Sequence, residues 1–357
     1  MGQQHSGFVV EIAETRLGKF QAVPQKDPDE GPAPEWRITV NPAAELFGST
    51  RLKQLIDRLY HHQKLLTPGD AKQILYSLQG IDPTSDLLLP LLTVLSNATA
   101  YPANQMLMRE LKITERVVNM LVEGRNFWTA PCKLMLLQCV ANMAVSKEND
   151  QIVKKSTAQV INRLQNSTDE TEVTVALQAL TNLTLRIGQN EVPQFIPCIG
   201  PCLNRLWIRG EVNINALRLL VNLSCCPDLV PHILGAKAVS GLLRILDTDR
   251  DEILIRAVTW LLCTSSAVEA LHITYDRIAE YNQDPFHNPV HTLYFSIYGP
   301  KNREELENRC RELLSYPFKD IADKSKRLLT LLPKANSTIS YGRSESEQTV
   351  KYAERDT

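Results

Sequence analysis

Glycine is scarce, at 15 of 357 residues, while leucine comes in long runs. Tight turns between strands lean on glycine for positive φ, so this balance favours helices over sheets. An excess of charge is missing too: 39 Lys and Arg stand against 40 Asp and Glu, a formal net charge of −1. No bulk positive field exists to draw nucleic acid, which excludes it as the expected partner. No run of eighteen apolar residues occurs, so no membrane-spanning segment is expected. The first residues show no apolar core and no cleavage signature, so no secretory signal is expected. The expected setting is the reducing cytoplasm, where the sequons at Asn97, Asn166, Asn182, Asn222 and Asn336 stay unglycosylated. The eight cysteines are then expected as buried free thiols that act as small hydrophobes.

Catalytic motifs are missing as well. No phosphate-binding loop, dinucleotide fingerprint, two-histidine zinc motif or nucleophile elbow occurs. Cys198 and Cys202 are one helical turn apart, but no second ligand pair accompanies them, and structural zinc takes four ligands. His287 and His291 flank Pro289, which breaks the helix that would align them, so they read as solvated loop histidines. Asp169 and Glu170 fall in a polar break between helices and read as solvated charge. The expectation is a protein that is not an enzyme, with no cofactor, no metal and no small-molecule substrate.

What the chain does have is a repeat. LLTVLSNAT (91–99), LLQCVANMA (136–144), ALQALTNLT (176–184) and ALRLLVNLS (216–224) align. Their asparagines, Asn97, Asn142, Asn182 and Asn222, are spaced by 45, 40 and 40 residues. Leu92, Leu137, Leu177 and Leu217 form one column, and Leu95, Val140, Leu180 and Leu220 another. Spacings of three, four and seven put them on one helix face. A second helix recurs as VNML (118–121), INRL (161–164), LNRL (203–206) and LLRI (242–245). A pair of apolar helices cannot bury both faces alone, whereas stacked pairs can. A period near 40 fits armadillo or HEAT units. The expected fold is therefore all-α, an armadillo/HEAT-like right-handed α-solenoid. A fifth, degenerate unit is expected at 252–278, two helices before the array at 50–80, and two capping helices near the end. Thr67, Pro68 and Asp70 form a capping-box-like helix start. The expected division is an irregular N-terminal segment (1–49) with a Pro- and acid-rich linker, a helical repeat domain (50–333), and a polar tail (334–357) expected to be disordered.

NATAYPANQMLMREL (97–111), residues 216–258 and TLYFSIYGPKNREELENRCRELL (292–314) carry a resemblance. Over roughly residues 65–333 the chain resembles the armadillo-like domain of the armadillo-repeat-containing X-linked proteins and their autosomal relative, a domain shared with the G-protein-coupled-receptor-associated sorting proteins. The resemblance implies a non-enzymatic α-solenoid that binds other proteins. It also implies, for several members, a place on the mitochondrial outer membrane and a role in mitochondrial trafficking or organisation. Those members carry an N-terminal hydrophobic anchor, which this sequence lacks.

In an armadillo array the asparagine column often lines the concave groove, where a side-chain amide can hydrogen-bond the backbone of an extended peptide. Asn97, Asn142, Asn182 and Asn222 are the candidates. The other reading is that each asparagine satisfies a neighbouring helix end. Nuclear-import adaptors place a tryptophan one turn before that asparagine. Here Thr93, Gln138, Gln178 and Arg218 stand at that place, which argues against a receptor for nuclear-localisation signals. Gln138, Gln178 and Arg218 join the asparagines as candidate groove residues, and Arg218 suits a polar or acidic segment. The expected partner is a protein, met as an extended peptide or a helix.

The first six residues, MGQQHS, match the pattern for N-myristoylation at Gly2. One myristoyl chain holds a membrane only marginally. Residues 1–50 offer four basic residues against seven acids, so no polybasic second signal is present. The expectation is reversible contact of a cytoplasmic protein with a membrane surface, reinforced by whatever the groove binds. A mitochondrial-surface adaptor recruited through its partners is the alternative.

Overall fold

The computed structural model describes residues 48–61, 65–123 and 128–335. Gly2, the N-terminal linker and the polar tail lie outside the described residues. The chain forms two compact units, divided in sequence between Gly188 and Gln189. Each is all-α, apart from a two-residue-per-strand hairpin in the second.

The first unit holds α1 (Gly48–His61), α2 (Pro68–Gly80), α3 (Leu88–Ala98), α4 (Pro102–Glu110), α5 (Ile113–Glu123), α6 (Ala130–Met143), α7 (Thr157–Asn166) and α8 (Glu170–Leu183). Local chemistry sets their starts. Thr67 caps α2 in a full capping box: its hydroxyl accepts from the Asp70 N–H, and the Asp70 carboxylate accepts from the Thr67 N–H. Thr129 caps α6 ahead of Pro131. Asp169, expected as solvated charge, caps α8 by accepting from the Thr171 N–H at 2.8 Å. The left-handed backbone of Lys112 (φ 61°) separates α4 from α5.

α3 packs on α6, and α6 on α8; α5 backs α6 and α7 backs α8. The two apolar columns meet along this stack. Leu92, Leu95, Leu137, Val140, Leu177 and Leu180 are all at most 1% exposed, so the repeat read in the sequence is the packing repeat.

The second unit holds α9 (Ile199–Asn204), α10 (Ile214–Ser224), α11 (Val230–Gly235), α12 (Asp251–Ala270), α13 (Leu293–Tyr298), α14 (Pro300–Glu312) and α15 (Lys319–Ala335). Between α9 and α10, strands β1 (Trp207–Ile208) and β2 (Glu211–Val212) pair antiparallel. Arg209 and Gly210 turn the chain, both with positive φ, as a two-residue hairpin requires. α10 packs on α12, α12 on α15, and α14 on α15. Leu217 and Leu220 continue the two apolar columns and are fully buried.

Here the second helices depart from expectation. LNRL lies at the end of the short α9, and LLRI forms a 3₁₀ segment, Leu242–Leu246. Gly241 enters that segment in the left-handed region (φ 63°), and the polar run 247–250 follows it, so only a turn fits between. The four apolar side chains of the segment are still buried, so the packing role survives without the helix. The fifth unit is one twenty-residue helix, α12, followed by a single turn, Tyr275–Ile278. α12 is long and apolar enough to cross a membrane by length and composition. It lies between α10 and α15 with Trp260, Leu261 and Val258 buried, the position of a core helix.

His287 and His291 are exposed, as expected, and the His291 Nδ1 lies 3.0 Å from the Asp284 carboxylate, in a loop where Asp284 also accepts from the Asn288 N–H. One further expectation needs correction: the cysteines divide. Cys132, Cys139, Cys198, Cys202 and Cys310 are buried, but Cys225 is exposed, and Cys226 and Cys263 are half-buried. Cys225 and Cys226 lie beyond the last turn of α10, outside the periodic pattern that buries the others.

Candidate functional site

In the first unit the sequence-predicted residues share one edge of the α3–α6–α8 stack. Asn142 Nδ2 donates to the Ser96 carbonyl and to Thr99 Oγ1, both at 3.1 Å. Asn182 Nδ2 donates to the Ala141 carbonyl at 2.7 Å. The rule is the same in both: the amide bonds the carbonyl of the residue just before the preceding repeat's asparagine. Those carbonyls belong to the final turns of α3 and α6, where helical acceptors run out of backbone donors. Gln138 Nε2 donates to Asn142 Oδ1 at 3.1 Å, which engages the asparagine on both sides of its amide.

Of the two readings of the asparagine column, the helix-end role is therefore occupied at Asn142 and Asn182. Asn182 and Gln178 are buried, whereas Gln138 and Asn142 are half-buried and Asn97, at the open end of this column, is exposed. Leu89, Thr93, Leu134 and Met135 add half-buried surface along the same edge.

A second set of polar residues lies behind this edge, and sequence reasoning missed it. Asn104 Nδ2 donates to the Ala98 carbonyl, and Asn149 Nδ2 to the Met143 carbonyl. Each amide reaches six residues back, and both residues are essentially fully buried. Gln105 joins Asn149 to the ends of α3 and α6: its Nε2 donates to the Thr99 and Asn142 carbonyls, and its Oε1 accepts from Asn149 at 3.2 Å. One signal was available: Asn104 and Asn149 are 45 residues apart, the spacing of Asn97 and Asn142. Farther along, Arg186 grips Asp150 with two hydrogen bonds of 2.7 Å. Asp150 raises the Arg186 pKa against the opposing effect of burial, which holds the guanidinium charged. The same guanidinium caps the Ala144 and Val145 carbonyls past the end of α6.

In the second unit, Arg218 on α10 pairs with Glu252 on α12, and Arg256 Nη2 lies 3.5 Å from the same Glu252 oxygen. Two guanidiniums thus share one carboxylate that is half exposed. The Arg218 Nε is buried with no partner. Asn222, one turn from Arg218, is half-buried. Within this group of three, two positive charges face one negative charge.

Cys198 and Cys202 contact the Phe195 and Ala216 carbonyls, and burial pushes the Cys198 thiol up to about 12. Among the described residues, no cluster of three or more His, Cys, Asp or Glu is placed to hold a metal.

Solved structures share this arrangement. A designed armadillo repeat protein superposes with a TM-score of 0.56 at 17% identity, covering 73% of this chain and 98% of that one. Computationally designed armadillo repeat proteins for modular peptide recognition give 0.55 at 16% identity, covering 72% and 98%. A designed armadillo repeat protein in complex with the peptide (KR)4 gives 0.50 at 13%, covering 79% and 99%. At these identities the likeness concerns fold. The sequence profile described as Armadillo-like matches residues 66–277. That span holds the α3–α6–α8 stack of the first unit and the α10–α12 pair of the second, and the chain belongs to the Armadillo-like family.

Proposed function

We propose that this protein is a non-enzymatic scaffold that binds a segment of another protein along the edge of the first unit carrying Asn97, Gln138 and Asn142, and that Arg218 and Asn222 offer a binding surface of the second unit in its own right. The observation that carries the reading is the edge itself. Half-buried and exposed amide groups recur there at the repeat spacing, on a fold that designed proteins use to hold peptides. Asn182 and Gln178 support this edge from beneath rather than by touching the ligand. The (KR)4 peptide of the designed complex is basic, whereas the Arg218–Glu252–Arg256 group here suits an acidic or polar segment.

A photo-crosslinking amino acid placed at Asn97 or Gln138, or at Tyr76 or Met106 on helices α2 and α4, tests the reading in cells. Tyr76 and Met106 are exposed at 78% and 53% and serve as controls off the edge. Adducts with a common partner from Asn97 and Gln138, absent from the controls, support the edge. Adducts from the controls alone place the binding surface elsewhere.

We further propose N-myristoylation at Gly2, from the MGQQHS pattern. It gives the scaffold reversible contact with a membrane surface from the cytoplasm. Labelling with an alkynyl myristate, lost on Gly2→Ala, checks the modification. The X-linked armadillo-repeat proteins that the sequence resembles supply the alternative, an adaptor on the mitochondrial surface recruited by partners. Mitochondrial signal that survives Gly2→Ala favours that alternative.

A further inference from the structure

We propose that Cys263 and Cys225 form a peroxide-responsive dithiol, in which Cys263 is the sulfur oxidised first and Cys225 resolves it to a disulfide. The inference stands apart from the binding reading, because it rests only on the packing of α10, α12 and α15.

Geometry comes first. Cys263 Sγ on α12 and Cys225 Sγ at the end of α10 are 3.9 Å apart and share a hydrogen bond. A disulfide needs about 2.05 Å, so the sulfurs close by about 1.9 Å. Cys225 is the C-cap residue of α10, past its last turn, where its side chain is not wedged between helices. It is also the one exposed cysteine among the described residues. A small oxidant therefore reaches the pair, in contrast to Cys139, Cys198, Cys202 and Cys310, which are sealed in the core.

The surroundings divide the two roles. The hydrogen bond shared with Cys225 favours the Cys263 thiolate, and Lys324 and Arg327 on α15 contribute positive charge. Together these outweigh burial and draw the Cys263 thiol below its ordinary pKa. The same hydrogen bond raises Cys225, which keeps its proton until it is needed. A lowered thiol beside a resolving partner is the arrangement of a redox-sensing cysteine. Cys226, next in sequence, is half-buried and raised by desolvation.

The chemistry balances with hydrogen peroxide as oxidant. The Cys263 thiolate attacks one peroxide oxygen, the O–O bond breaks, and the departing oxygen leaves as water after taking a proton. Cys263 is then a sulfenic acid. The Cys225 sulfur attacks it, its proton leaves with the sulfenic hydroxyl as a second water, and the S–S bond forms. Two thiols are oxidised by two electrons, and one peroxide is reduced to two waters. In a reducing compartment such a bond is transient.

The full-length reduced protein is treated with hydrogen peroxide and read by intact mass and peptide mapping. The expected result is loss of two hydrogens and a linked peptide pair joining Cys225 to Cys263. In Cys225→Ser, a dimedone probe captures Cys263; in Cys263→Ser, both the link and the capture disappear, with helix content unchanged by circular dichroism. A Lys324→Gln/Arg327→Gln variant slows alkylation of Cys263 by iodoacetamide about three-fold. A rise of one pKa unit cuts the thiolate about ten-fold, and the more basic sulfur regains about half of that on a logarithmic scale. A link to Cys226, dimedone capture at Cys226 instead of Cys263, or no oxidation under peroxide that oxidises the unfolded chain overturns the proposal.

Discussion

Asn142 and Ser96 lie 46 residues apart in sequence and are joined by a 3.1 Å hydrogen bond from the asparagine Nδ2 to the serine carbonyl. Asn182 and Ala141, 41 apart, repeat the contact one step along the array. Each bond satisfies a carbonyl at the end of one helix with an amide from the next, so successive repeats are held in register by polar contacts as well as by leucine packing. Armadillo asparagines are easily read as ligand contacts; in this chain two of them are first of all staples between repeats.

Asn182→Ala should therefore destabilise the protein although it removes no apolar contact. It leaves the Ala141 carbonyl without its amide donor in a buried setting, a loss of about 1–3 kcal/mol. Gln138→Ala removes a half-buried amide from the same face and should stay within about 0.5 kcal/mol of the parent. Urea denaturation of the two variants gives the comparison. Equal stability of both would remove the staple role from Asn182.

The buried network predicts non-additivity. Asn149 donates to the Met143 carbonyl and to Gln105 Oε1, and Gln105 in turn donates to the Thr99 and Asn142 carbonyls. Asn149→Ala and Gln105→Ala should each cost about 1–3 kcal/mol. The double variant should cost less than the sum by at least about 0.5 kcal/mol, because the second change removes groups already orphaned by the first. A double-mutant cycle by denaturant melts measures this, and strict additivity would show that the two amides act independently.

The leucine columns and the starts of α2 and α6 were legible because they depend on local rules: helical period for the columns, and a short cap sequence for the starts. Thr67, Pro68 and Asp70 sit in the capping box that their spacing implied. The LLRI segment was misread because three apolar residues around one arginine are compatible with a helix or a single 3₁₀ turn. The left-handed Gly241 before it and the polar run after it decide the matter. Asn104, Asn149 and Gln105 were missed for another reason. A buried amide looks like a loop residue until the carbonyl it serves, in another turn or another repeat, is known. The same blindness hides Cys225 and Cys263, 38 residues apart and brought together only by the packing of α10 on α12.

The capping box makes stability depend on pH. Burial opposes ionisation of Asp70, but hydrogen bonds from the Thr67 backbone and hydroxyl, then from Arg58, outweigh it and hold its carboxyl below the ordinary value. Because the folded pKa is the lower one, the contribution is complete above the unfolded value, about 4, and is lost as pH falls through the folded one. Asp70→Asn should cost about 0.5–2 kcal/mol at neutral pH. The gap between parent and variant should narrow on acidification below about pH 4. Urea midpoints of both proteins across that range check it, and a gap that is constant with pH would mean that the carboxylate charge plays no part.

Gly235 closes α11 where the backbone of Tyr281 passes over it. A Cβ built there would lie 2.6 Å from the Tyr281 carbonyl oxygen and 2.8 Å from its carbon. Both atoms are backbone, so no side-chain rotation relieves the clash. The segment is also tied down, since the Gln283 N–H donates to the Gly235 carbonyl at 3.1 Å. Gly235→Ala must therefore push the 281–283 strand of chain away from α11 and stretch that bond. Overpacking of this kind costs about 1–3 kcal/mol. Alanine would otherwise favour the helix by up to about 1 kcal/mol, so propensity and packing pull in opposite directions. Gly80 makes the control: it too ends a helix, α2, but a Cβ there meets nothing within 4 Å. Gly80→Ala should leave the melting temperature unchanged or raised, while Gly235→Ala lowers it. Equal shifts for the two alanines would show that helix propensity, and not the approach of Tyr281, governs the position.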